Sequence, residues 1–342
     1  MIYANRDNWD GDLFYVGGVL VEFAPNEQTQ VEIKEGILKI LAGVFKDCYL
    51  LESVTIPNSV TEIGSEAFSG CGKLKSVKLP ESLKTIESFL FNDCESLASI
   101  VIPDSVTTIE SRAFEDCEKL ESVSIGSGVR YIGSEAFSVF GQASLSRVYI
   151  HSISSWCEIE FEDEYANPCN QGYVSLYIGQ NQLTTINLPG DLVSIKPYSF
   201  YGVRFEKIYL PATIQKIGAS AFGFGNHIAS VYYGGDAAGW CSIDFEDERS
   251  NPLCGGNFLH LKNDSDPVFE LEIPAEVQQI KNYAFFGVYG VFFITFEEGS
   301  CCTSIGDYAF WNIGTLRSIT IPAGVTHIGE NAFPGSDSNP EE

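Results

Sequence analysis

One phenylalanine, returning at a fixed interval, restricts this chain more than any other feature. Phe45, Phe68, Phe91, Phe114 and Phe137 stand 23 residues apart, and Cys48, Cys71, Cys94 and Cys117 keep the same step, each three places after its Phe. Copies this alike must bury the same apolar positions in the same surroundings. Stacked coils meet that condition, each covering the next, whereas an irregular globular core does not. One unit reads Leu51-Glu52-Ser53-Val54-Thr55-Ile56-Pro57-Asn58-Ser59-Val60-Thr61-Glu62-Ile63-Gly64-Ser65-Glu66-Ala67-Phe68 and closes on Cys71, and Leu74 and Leu97 open the next two.

The apolar positions explain the unit. Leu51, Val54 and Ile56 enclose Ser and Thr, which predicts a short strand with one buried side. Pro57 ends it, since proline offers no N–H to a ladder, and Pro80, Pro103, Pro189, Pro211, Pro274 and Pro322 hold the equivalent place. Val60 and Ile63 point inward from a second extended stretch. Gly64 then permits a turn, and Ser65-Glu66-Ala67-Phe68 reads as one short helical or 3₁₀ turn.

The marker recurs as Phe200, Phe222, Phe285, Phe310 and Phe333, at steps of 63, 22, 63, 25 and 23 residues. Each long step equals one unit plus 40 residues (63 − 23), which reads as two insertions. They resemble each other. Trp156-Cys157-Glu158-Ile159-Glu160-Phe161-Glu162-Asp163-Glu164, followed by Asn167-Pro168 and Cys169, matches Trp240-Cys241-Ser242-Ile243-Asp244-Phe245-Glu246-Asp247-Glu248, followed by Asn251-Pro252 and Cys254. The two tryptophans are 84 residues apart, so a longer module was itself duplicated.

The pattern Leu-x-x-Val-x-Ile-Pro-x-x-Val-x-x-Ile-Gly-x-x-Ala-Phe-x-x-Cys resembles the BspA-type leucine-rich repeat of bacterial surface proteins and some protozoa. The likeness spans roughly residues 28–334. Gly126 replaces the proline in the fifth unit, Phe140 stands where a Cys is expected, and the later units lack the Cys. The resemblance implies an α/β repeat solenoid: a right-handed leucine-rich-repeat array with a parallel β-sheet on one face. The expected layout is an N-terminal β-hairpin cap (1–27), five regular repeats (28–144), irregular repeats carrying the insertions (145–334) and a polar tail (335–342). That makes about ten coils.

The cap is read from the run Leu13 to Phe23, which alternates about Gly17-Gly18 as a hairpin with a primed turn does. A secretory leader needs a basic start and an unbroken apolar stretch. Here Arg6 is followed by Asp7, Asp10 and Asp12, and the run carries Glu22. Either a leader was removed ahead of this sequence, or the protein is not exported by that route. No stretch approaches the roughly 20 apolar residues of a membrane span. With 46 acidic against 20 basic residues the net charge is −26, and no basic run exists to neutralise phosphates, so nucleic acid and anionic membranes are excluded as partners.

The Phe column and the Cys column (Cys48, Cys71, Cys94, Cys117) read as core ladders, because a side chain that keeps the coil step faces its own copies. Cys157 with Cys169, and Cys241 with Cys254, stand 12 and 13 residues apart, a spacing open to either a loop-closing disulfide or free thiols. Cys301 and Cys302 are adjacent, a poor arrangement for bonding to each other. The acidic runs Glu158–Glu164, Asp244–Glu248 and Glu297–Glu298 lack the calcium-loop order and read as solvated faces. His151, His227, His260 and His327 are scattered, and no nucleophile or phosphate-binding motif occurs. No catalytic residue, metal or cofactor is predicted.

One outward column remains. Thr55, Lys78, Val101 and Ser124 give way to Tyr149, Asn187, Tyr209 and Tyr232, then to Glu272, Thr295 and Thr320, with Tyr177 in an extra strand-like segment, Val174–Ile178. Tyrosine offers a rigid amphipathic surface at little entropic cost. The sheet around Tyr149, Tyr209 and Tyr232 is therefore the candidate ligand surface, the competing reading being rings that merely cover the sheet. The family resemblance implies adhesion to host matrix proteins, other cells or glycans, extracellularly or at the cell surface. A monomer without enzymatic activity is expected, since repeats with apolar inward positions offer no deep cleft for catalysis. A scaffold without adhesive activity is the alternative.

Overall fold

The computed structural model describes residues 8–24, 27–171, 174–224 and 227–333. The polar-tail expectation for 335–342, and the first seven residues of the cap, lie outside the described residues. The chain divides into two compact units, Met1–Gln182 and Leu183–Glu342. Each is a β-solenoid of short parallel strands, and together they make about 13 turns.

In the first unit the expected strand of each repeat is present: Gln30–Glu32, Ser53–Thr55, Ser76–Val77, Ser99–Val101, Ser122–Ser124, Arg147–Tyr149 and Ser175–Ile178. Registers are those of the repeat, with Val31 opposite Val54, Ile100 opposite Val123, and Val123 opposite Val148. A second set of two-residue strands carries the inward Ile of each coil, Ile40 opposite Ile63 and Ile86 opposite Ile109. The cap strands Leu13–Val16 and Val19–Phe23 pair antiparallel, with both Gly17 and Gly18 at positive φ as a primed turn requires. Val19–Phe23 also pairs parallel with Lys39–Ile40, and the Phe23 ring lies 5.1 Å from that of Phe45. The hairpin thus covers the first coil and closes its edge.

The predicted helical turn at Ser65–Phe68 is not helical. Glu66 sits at φ 59°, as do its counterparts Phe89, Arg112 and Glu135 near the same value, and a left-handed residue cannot continue a right-handed helix. The segment instead forms a tight turn (Ala67 N–H to Gly64 O, 3.2 Å) and then bonds to the next coil, Phe68 N–H to Leu90 O at 3.0 Å. Phe45, Phe91 and Phe114 donate in the same way to Ala67, Ala113 and Ala136. This is a third ladder along the stack. Helix is confined, among the described residues, to α1 (Ile153–Cys157) and α2 (Ala237–Cys241).

The two segments that read as insertions are themselves turns of the solenoid. Glu160–Phe161 pairs parallel with Tyr131–Ile132, placing Phe161 in the slot of an inward Ile, and Asp244–Phe245 does the same beside Lys216–Ile217. α1 and α2 replace the proline turn, and their Trp156 and Trp240 fill the core at 1% and 0% exposure. The following strands, Ser175–Ile178 and Phe258–Leu261, each open another coil on the first face. Hence the count exceeds ten.

The acidic runs in these coils are not simply solvated. Glu162 accepts from the Ser134 N–H at 2.8 Å and the Tyr131 hydroxyl at 2.9 Å, and Asp163 accepts from the Ser134 hydroxyl at 2.6 Å. In the second unit Glu246 accepts from the Ala219 N–H and Asp247 from the Ser220 N–H, both at 3.0 Å. The Glu-Asp pair of each module latches the left-handed turn of the preceding coil. Those hydrogen bonds, led by the Ser134 N–H, hold the Glu162 carboxyl below its usual range.

Candidate binding face

Strand alternation decides which side chains reach the outside. Along Lys207–Leu210 and Ser230–Tyr233, Ile208 and Val231 are fully buried, so Tyr209 and Tyr232 face outward. Parallel register sets Asn187 beside Tyr209, Tyr209 beside Tyr232, and Tyr232 beside His260. Strands in a sheet lie about 4.7–4.9 Å apart, close to the preferred separation of stacked rings, so flat side chains in one column stack. The centroids of Tyr209 and Tyr232 are 4.4 Å apart at 12°, and those of Tyr232 and His260 are 4.1 Å apart at 18°.

The three predicted site residues are therefore distributed between two places. Tyr209 and Tyr232 are brought together in the second unit. Tyr149 lies in the first, where its partner is Tyr177 at 5.3 Å and a 40° tilt. His260 is the member of the column that sequence reading left among the scattered histidines. Its signal was present: Phe258-Leu259-His260-Leu261 repeats the apolar alternation of Ser230-Val231-Tyr232-Tyr233. Once the second insertion is a coil, His260 falls in the tyrosine column.

His260 closes the stack and is only 4% exposed. Its Nδ1 lies 3.1 Å from the Asp264 main-chain oxygen, and because a carbonyl only accepts, Nδ1 carries the proton. Burial pushes the ring's pKa below its usual value, against the opposing pull of main-chain oxygens at Asp264 and Asp266. The neutral ring stacks on Tyr232 at no cost in buried charge. Because the rings cover one another, the row presents phenol hydroxyls and ring edges to solvent instead of open aromatic faces.

The core columns have different chemistry. Phe45, Phe68, Phe91 and Phe114 are 0% exposed and stack nearly parallel at 5.1–5.4 Å. The thiols of Cys71, Cys94 and Cys117 donate to the carbonyls of Phe45, Phe68 and Phe91 at 3.1, 3.3 and 3.2 Å. Burial pushes these thiols up, Cys48 to about 11 and the deeper ones further, which keeps them protonated. No disulfide joins Cys157 to Cys169 or Cys241 to Cys254. Among the described residues, no group of three or more His, Cys, Asp or Glu side chains is placed to hold a metal ion. No described helix is long and apolar enough to cross a membrane.

The sequence matches the BspA type leucine rich repeat region, in six copies, over residues 22–164, 175–236 and 263–340. The chain belongs to this family. No curated protein matches it. Among solved structures, a leucine-rich repeat protein from Bacteroides ovatus is 19% identical, with 97% of this chain and 92% of that one covered and a TM-score of 0.57. At that identity the likeness bears on the fold alone. A leucine-rich repeat protein from T. pallidum is 28% identical over 42% of this chain and 70% of its own, with a TM-score of 0.38. A leucine rich cell surface protein from Faecalibacterium prausnitzii is 22% identical over 96% of this chain and 85% of its own, with a TM-score of 0.43. BspA-type repeats commonly mediate protein interaction.

Proposed function

We propose that this chain is a non-enzymatic binding protein, secreted or held at the cell surface, that recognises a protein or glycan ligand through the outer sheet face of its solenoid. The stack Tyr209–Tyr232–His260 carries the reading. It is a rigid row of two half-buried tyrosines closed by a buried histidine, at an outward column where regular repeats place small or charged residues. The row is pre-ordered by the sheet, so a ligand that meets it freezes few further side chains. Family membership supports an extracellular or surface location.

The test is a binding screen of the full chain against extracellular-matrix proteins and glycans, repeated with two double variants. Tyr209→Ser with Tyr232→Ser removes the stack, and Tyr209→Phe with Tyr232→Phe keeps it while deleting the hydroxyls. Truncating two central tyrosines should weaken a genuine ligand by about tenfold or more, with a cooperative unfolding transition retained. Unchanged affinity in both variants would remove the face from consideration.

A further inference from the structure

The sheet of the second unit is interrupted beside His260. Strand Phe258–Leu261 is the last of one parallel group and Glu270–Ile273 the first of the next. Between them runs a loop held at both ends. Lys262 N–H donates to Gly235 O at 2.8 Å, Asn263 N–H to Tyr233 O at 3.1 Å, and Val268 N–H to Leu259 O at 2.8 Å. The interruption leaves a groove of about 440 Å³. Its apolar lining includes Ala237, Leu261, Leu271 and Phe269, the last 46% exposed at the rim. Around it stand Asp236, Asp264, Asp266, Glu270 and Glu272, against Lys262 alone.

The charge of this groove differs from that of the first unit's sheet face. There, Glu52 is bridged to Lys75 of the neighbouring coil at 2.7 Å and Glu121 to Arg147 at 3.1 Å, while Glu32 on the same face makes no ion pair among the described residues. Among the described residues, none of the groove's five carboxylates makes an ion pair. Asp236 caps α2 by accepting from the Gly239 N–H at 3.1 Å, and Asp264 accepts from the Asp266 N–H at 3.4 Å, yet no paired cation neutralises the ring. An apolar slot with such a rim fits a side chain with an aliphatic stem and a cationic head, which is the make-up of Arg and Lys. A neutral glycan fits less well. It would use open aromatic faces, and the stack beside the groove hides its own.

We infer that the groove between Phe258–Leu261 and Glu270–Ile273 receives Arg or Lys side chains from an extended basic segment of a protein partner that lies along the sheet face. The inference rests on the binding reading above and narrows its ligand to a polypeptide. Asp264 ties the two together, since its main chain holds His260 at the end of the stack and its carboxylate belongs to the groove. The anchored loop makes the groove ready before binding.

The experiment measures fluorescence anisotropy of a labelled peptide of alternating Arg and Ser with the full chain, at low and raised salt. A Glu/Ser peptide of equal length and a neutral oligosaccharide serve as comparison probes. Glu270→Gln with Glu272→Gln, and separately Asp264→Asn with Asp266→Asn, should each weaken the Arg/Ser peptide by about tenfold. Glu52→Gln with Glu121→Gln, carboxylates already paired in the first unit, should leave it unchanged. Equal weakening by that control pair would overturn the inference, because only the overall negative field would then be at work. So would tighter binding of the oligosaccharide, or equal binding of the Glu/Ser peptide. If the groove variants leave peptide binding intact while the Tyr209/Tyr232 variants lose a ligand, the groove assignment fails and the sheet-face reading stands.

Discussion

Single residues in this chain carry consequences multiplied by their copies. Phe91 is stacked between Phe68 and Phe114 at 5.4 Å on both sides, so its loss empties a site that neighbouring coils cannot collapse to fill. Phe91→Ala is expected to cost about 3–5 kcal/mol, read from a denaturant unfolding curve. The thiols make a second test. Titration of the native protein should find Cys301, the exposed one, reactive and the buried thiols slow, with all ten free after unfolding without reductant. A shortfall after unfolding would reveal a disulfide.

His260 sets a pH dependence with a definite sign. Its folded pKa lies below the ordinary value, so between the two the unfolded chain binds the proton and the folded chain does not. Its contribution is therefore present above about pH 6.5 and lost as pH falls below it. The unfolding midpoint should drop between about pH 7.5 and 5.5, and His260→Phe should flatten that part of the profile. An identical profile in the variant would show that other groups set it.

At the scale of elements, the coil contains two features for which composition offers no cue. Gly133 sits where the backbone of Ser111 in the preceding coil approaches: a Cβ would meet the Ser111 N at 2.6 Å. The same holds for Gly64 against Ala42, and neither glycine is at positive φ, so close approach and not a turn is what calls for it. Glu87 and Glu110 hold the equivalent places in the two coils between them, and Glu110 N–H keeps the same bond to the preceding coil (Ile86 O, 2.8 Å). Gly133→Ala should cost about 1–3 kcal/mol through forced backbone movement. The latches are the other feature. Asp247 accepts from the Ser220 N–H, the Ser220 hydroxyl and the Ser250 N–H, so Asp247→Ala should lower stability by about 1–3 kcal/mol. A thermal melt matching wild type would contradict the latch.

For the whole molecule, a charge of −26 on an array whose inward positions are apolar must lie on turns and outer faces. The protein should show no retention on DNA and no binding to anionic vesicles even at low salt, checked by gel shift and vesicle sedimentation. Binding to either would require a basic surface that 20 Lys and Arg among 46 acidic residues do not suggest. The fissure at Glu270–Ile273 belongs to this scale also. It exists because the coil after Phe258–Leu261 fails to continue the ladder.

Sequence by itself determined the repeat, the inward Ile, Val and Phe of each coil, the cap about Gly17-Gly18 and the column containing Tyr209 and Tyr232. These follow from periodicity, since a residue that recurs at the coil length must face its own copies. Only the tertiary structure decided that the Trp156 and Trp240 segments are coils, that Glu66 and its counterparts are left-handed, and that His260 completes the aromatic stack. Each of those depends on which backbone lies one coil away. Spacing along the chain does not encode that neighbour where a five-residue helix carrying a buried Trp replaces the proline turn.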